Sequence, residues 1–134
     1  MPLELEIILR LLLAAVCGAA IGFQREWVKK PAGLRTHILI SLGAALFTVV
    51  SIYGFSGNYD PGRIAAGIVT GVGFLGAGVI FRSMRGDMVM GLTTAASVWI
   101  VSAIGLAAGS GLYLITVVVT VISILVLLIP RVKG

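Results

Sequence analysis

IAAGIVTGVGFLGAGVIF, residues 64–81, runs eighteen residues without a charge between Arg63 and Arg82. A helix needs ~20 mainly apolar residues to cross the hydrocarbon core of a bilayer, so this stretch with its flanks reads as a span over 62–82. Working outward, the same criterion places further spans at 5–24, 36–55, 90–108 and 111–130. The links are then 25–35, 56–61, 83–89 and the short Gly109-Ser110-Gly111, which makes the last two helices a tight hairpin. The whole composition agrees: 59% of the 134 residues are hydrophobic and 11% charged, with a mean hydropathy of +1.14. A soluble domain carries about 25% charged residues. The expected fold is an all-α integral membrane protein, a five-helix bundle forming one transmembrane domain over 1–134, with no soluble C-terminal domain.

The net charge of +5 is read as a topology signal at helix ends, and no nucleic-acid partner is expected. Arg25, Lys29, Lys30, Arg35, Arg82, Arg85, Arg131 and Lys133 all fall on one side of the predicted spans. By the positive-inside rule that side is the cytoplasm, with the N-terminus outside and the C-terminus inside. Tyr53, Phe55, Tyr59 and Tyr113 at the other boundary, and Phe23, Trp27 and Phe81 at the basic one, fit interfacial aromatic belts. No basic leader precedes the first apolar run, where Glu4 and Glu6 stand instead. Cys17 is the only cysteine, so no intramolecular disulfide is available.

Gly is abundant, at 18 residues, and small residues let membrane helices approach closely. Projected at about 100° per residue, Asp60, Arg63, Gly67, Gly71, Gly78, Arg82 and Arg85 share one arc of the third helix, with Gly73 and Gly76 opposite. A helix smooth on two sides is expected to be central. The fourth helix aligns Gly91, Ala95, Val98, Ser102, Gly105 and Gly109, and the two stripes are expected to pack on each other. The first carries Gly18 and Gly22, with Arg25 and Glu26 extending that face toward Arg35 or the 82–87 loop. Helix ends at 22–25, 33–36, 81–82 and 91–94 suggest a tandem hairpin repeat. The fifth helix, charge-free from Tyr113 to Pro130, would be an added lipid-facing wall.

The second helix has a polar stripe of His37, Ser41, Ala44 and Thr48. Its hydroxyls can bond their own helix carbonyls or line a wet path. Asp60 can cap the third helix, with Pro61 at its first position and Arg63 in pairing range. Arg10 lies inside the first span, where a cation is costly unless paired. Asp60, Glu4 and Glu6 are its candidate partners. No phosphate-binding loop, zinc-spaced Cys/His set or nucleophile–base pair is present, and the five acidic residues are divided between the two sides. The chain is therefore expected to be no enzyme, to hold no cofactor and to bind no metal at a dedicated site.

Five segments in order, Gly22-Phe23-Gln24-Arg25-Glu26, Gly33-Leu34-Arg35-Thr36-His37, Asp60-Pro61-Gly62-Arg63, the run from Gly71 to Gly78, and Gly91-Leu92-Thr93-Thr94-Ala95-Ala96 with Trp99, resemble the membrane domain of the MgtC/SapB family. The resemblance covers nearly the whole chain. It implies a bacterial inner-membrane protein linked to growth at low Mg²⁺ and to survival inside host cells, acting as a regulator with the F-type ATP synthase as a partner. It points to Arg25, Glu26, Arg35, Asp60, Arg63 and the Gly71–Gly78 run as functional positions; the residues themselves add His37 and Arg82. A small oligomeric transporter or channel for Mg²⁺, K⁺ or H⁺ is the competing expectation, with a homodimer compatible with both.

Overall fold

The computed structural model describes residues 2–55, 57, 60–83, 86 and 90–130. Five helices follow in order: α1 Leu3–Trp27, α2 Leu34–Tyr53, α3 Pro61–Ser83, α4 Leu92–Gly109 and α5 Tyr113–Leu127. The first four are long and apolar enough to cross a membrane. Helix α5 stops at fifteen residues, about 22 Å at 1.5 Å per residue, short of the ~30 Å hydrocarbon core and of the expected 111–130. Its outward side chains form the expected apolar wall, while Thr116 and Thr120 turn inward and donate to the Leu112 and Thr116 carbonyls. Tyr59, Arg85, Arg131 and Lys133, which entered the topology reading, lie outside the described residues.

The core is built from α1, α2 and α4, each packed on the other two, with α5 seated against α1 and α4. Glycines set these approaches. A Cβ at Gly18 would lie 2.8 Å from the His37 carbonyl oxygen, and one at Gly22 would lie 2.9 Å from Leu34 Cα. On α4, a Cβ at Gly105 would collide with the Ser41 carbonyl, and one at Gly109 would sit 2.6 Å from the Ala45 carbonyl oxygen. Helix backbones meet this closely only where side chains are missing.

Helix α3 is peripheral, not central. It leans on α4 and touches α2 lightly. Only Ile68 and Val72 are buried on it, joining Ala44 and Val98 with Ile64 beside them. The inward face is therefore the i, i+4 ridge Ile64–Ile68–Val72, because branched side chains fill the gap to α4. Gly67, Gly71, Gly73 and Gly78 have nothing within 4 Å of an added Cβ, and at Gly76 the nearest atom is Ala95 Cβ at 3.8 Å. The expected stripe on α4 is buried at Ala95, Val98, Ser102, Gly105 and Gly109, but Gly105 and Gly109 face α2 rather than α3. Gly91 lies against the end of α3, where an added Cβ would stand 2.9 Å from Ser83 Oγ and 3.4 Å from the Val79 carbonyl oxygen. It sits at φ +82 immediately before α4, a left-handed conformation that side chains resist.

Candidate functional site

The polar side chains gather in three places. At the acidic end, Arg10 is 7% exposed. Its Nη2 meets Glu6 Oε1 at 2.8 Å, its Nη1 donates to the Gly109 carbonyl at 3.0 Å, and its guanidinium lies 5.5 Å from the Tyr53 ring centre. Glu6, not Asp60, is its partner. A cation at the last carbonyls of α4 also complements that helix's dipole, so one side chain ties α1, α2 and α4 together.

In the middle, the polar stripe of α2 is closed. His37, Ser41 and Thr48 are fully buried. Ser41 donates to the Ala14 carbonyl at 2.7 Å and Thr48 to the Ala44 carbonyl at 2.8 Å. His37 Nδ1 donates to the Gly33 carbonyl at 2.8 Å. Nε2 lies 2.9 Å from Ser97 Oγ, whose hydroxyl donates to the Thr94 carbonyl at 2.7 Å. Each group has a protein partner within hydrogen-bond distance. Asp60 and Arg63 stand apart from the stripe, 66% and 85% exposed at the side chain. Asp60 caps α3 as expected, accepting the Arg63 backbone N–H at 3.1 Å, and the two charges approach to 4.0 Å. Among the described residues no three His, Cys, Asp or Glu side chains are grouped to hold a metal.

At the basic end, Arg25 in the last turn of α1 is 3% exposed. It meets neither Arg35, which is exposed, nor a described residue of the 82–87 loop. Its Nη2 donates to Thr94 Oγ1 at 3.0 Å, across to the first turn of α4. Glu26 instead turns to α2, where Oε1 accepts the Leu34 N–H at 3.4 Å and tops the start of that helix. Arg82 is exposed at the end of α3. A cavity of about 720 Å³ opens beside Arg25, lined also by the polar Gln24, Lys30, Thr93 and Thr94 and by the apolar Leu127 and Ile129, with the Gln24 amide donating to the Leu127 carbonyl at 3.4 Å. Sequence reasoning picked Arg25 but missed Thr94 and Ser97 as the partners of Arg25 and His37. The pairings cross 69 and 60 residues, and no local pattern carries them.

Four long apolar helices, a short fifth and a core of glycine-mediated contacts define a small multi-pass helical membrane protein. The chain belongs to the MgtC family, whose profile matches residues 11–133. It is similar to the protein YhiD of Escherichia coli K12, 50% identical over 129 residues, covering 91% of this chain and 59% of the relative. The protein MgtC of Salmonella typhimurium is 47% identical over 115 residues, covering 86% and 48%. The protein SapB of Bacillus subtilis is 44% identical over 115 residues, covering 81% and 49%. The chain thus spans about half the length of the curated relatives it matches. No solved structure matches it.

Proposed function

We propose that the protein is a non-enzymatic regulator in the bacterial inner membrane, linked to Mg²⁺ limitation and stress, which acts by helix contact with another membrane protein. The N-terminus lies outside and the C-terminus in the cytoplasm, following the basic residues around Arg25–Arg35 and Arg82. The observation that carries the reading is the open face of α3: Gly67, Gly71 and Gly78 have no neighbour within 4 Å of an added Cβ, although glycine costs helix stability where it packs nothing. A partner helix would close on that face, from a membrane protein such as the F-type ATP synthase or from a second copy. Gly71→Leu and Gly78→Leu should abolish growth support at low Mg²⁺ while leaving insertion intact. Full activity in both variants overturns the reading.

A transporter is the second reading, favoured by the name of the Escherichia coli relative, a candidate magnesium transporter. Within one chain the stripe of His37, Ser41 and Thr48 is buried among the helices, which favours a path elsewhere. Flux of Mg²⁺, K⁺ or H⁺ into liposomes, lost in Asp60→Asn, would establish transport.

A further inference from the structure

We propose that the cavity at the basic end of the bundle is an anion site for a phosphate-bearing group, with Arg25 as its central ligand. The argument starts from a charge left unbalanced. A buried guanidinium is expensive unless paired with an opposite charge or a full set of acceptors. Arg10 and Arg25 stand at opposite ends of α1, and both are more than nine-tenths buried. Arg10 has the Glu6 carboxylate, a helix-terminal carbonyl and an aromatic face. Arg25 has one neutral hydroxyl. Among the described residues the Nε of both arginines has no acceptor; what sets Arg25 apart is the lack of a counter-charge, for none of the described residues around the cavity is acidic.

A second feature converges on the same space. Helix α4 begins there, at Gly91, with no side-chain cap. Its first backbone hydrogen bond is made by the Ala95 N–H to the Gly91 carbonyl, so the preceding N–H groups lack backbone acceptors in their own helix. Such a terminus attracts anions through free donors and its dipole. Thr93 adds an exposed hydroxyl and Lys30 a second cation at the rim. Donors and positive charge thus arrive from α1, the α1–α2 link and the start of α4. Arginine and helix N-termini both favour phosphate oxygens.

The size and the apolar lining narrow the occupant further. At about 720 Å³ the cavity lies in the range of organic-ligand pockets, ~300–1,000 Å³, and Val126, Leu127 and Ile129 give it apolar lining as well. Gln24 Oε1 is also buried with no partner among the described residues, and as an acceptor it calls for a donor beside the phosphate. A phosphate carrying an N–H or O–H group and an apolar tail meets all three demands. Phospholipid headgroups and soluble organic phosphates share the phosphate chemistry.

The test uses the full chain purified in detergent and in nanodiscs of neutral lipid, titrated with phosphatidylglycerol, phosphatidylethanolamine or inorganic phosphate. Bound species are read by native mass spectrometry and by thermal melting. The expected result is a retained phosphate-bearing species whose affinity falls about tenfold or more in Arg25→Gln. Lys30→Gln and Thr93→Val, both at exposed positions, should weaken it too without lowering the melting temperature of the unliganded protein, which keeps the test valid should Arg25→Gln misfold. Phospholipid retention with no response to phosphate assigns a headgroup. A melting shift with inorganic phosphate alone assigns a soluble ligand. Folded wild-type protein that binds none of the three, or variants that bind as well as wild type, would overturn the proposal.

Discussion

Replacing Gly18 with alanine should separate the two kinds of glycine in this molecule. A Cβ at Gly18 would stand 2.8 Å from the His37 carbonyl oxygen, 2.9 Å from Ser41 Cβ and 3.1 Å from Ile38 Cα. Ordinary contact begins near 3.4 Å, and two of the three neighbours are backbone of α2. Neither can swing aside, so α1 and α2 must part by several tenths of an ångström along their whole contact. Overpacking of this kind costs roughly 1–3 kcal/mol, opposed by up to ~1 kcal/mol of helix propensity gained on losing glycine. The parting also strains the Ser41 hydrogen bond to the Ala14 carbonyl, which lies in the same interface. The net effect should be a loss of about 1–2 kcal/mol. Gly71→Ala has open space around the new methyl and should be neutral or stabilising by up to ~1 kcal/mol in the isolated chain. Reversible denaturation in mixed micelles, followed by circular dichroism, measures both. Gly18→Ala as stable as wild type, or Gly71→Ala the more damaging of the two, would refute the packing assignment.

Other expectations follow from the same contacts. Arg10→Met should cost about 1–3 kcal/mol and release the C-terminal end of α4, read as faster amide exchange around Gly109 with little change near Gly91. His37→Ala should cost about 2–4 kcal/mol, from a buried cavity plus the loss of the imidazole's hydrogen bonds; added Mg²⁺ or Zn²⁺ should shift the melting of neither this variant nor wild type. Asp60→Ala removes a cap and should cost about 0.5–2 kcal/mol, confined to the first turns of α3. Thr94→Val should lower stability by about 1–3 kcal/mol, because it strips Arg25 of its only described acceptor, and phosphatidylglycerol should restore less melting temperature to it than to wild type.

The number of helices was legible because a membrane span declares itself through an uninterrupted apolar run, and α1 to α4 lie within a few residues of their expected bounds. Helix α5 ends early, at Leu127, because apolarity alone marks where a chain can sit in lipid and not where its helix unwinds. The face analysis of α3 grouped the right residues and pointed them the wrong way. Angular projection says which side chains share a face; it does not say which face turns inward. On α3 that was decided by the volume of Ile64, Ile68 and Val72, while its glycines were left outside. On α4 the stripe was correct and its neighbour only in part: Ala95 lies nearest Gly76 and Val98 clusters with Ile68 and Val72 of α3, while Gly105 and Gly109 receive the backbone of α2. Arg10 stood out in the sequence as a cation at span depth and Arg25 as a charge extending the Gly18–Gly22 face just past that span, but Glu6 was only one of three candidate partners for the first and Thr94 was not among those for the second.

The most direct test of a regulatory contact on α3 is cysteine crosslinking in native membranes. The chain has a single buried cysteine, Cys17, so Gly71→Cys and Gly78→Cys can be placed in a Cys17→Ala background and compared with Leu114→Cys, on the lipid-facing wall of α5. The account predicts strong adducts at Gly71 and Gly78, to a second copy or to another membrane protein, with only background at Leu114. Equal or absent crosslinking at all three positions would contradict it.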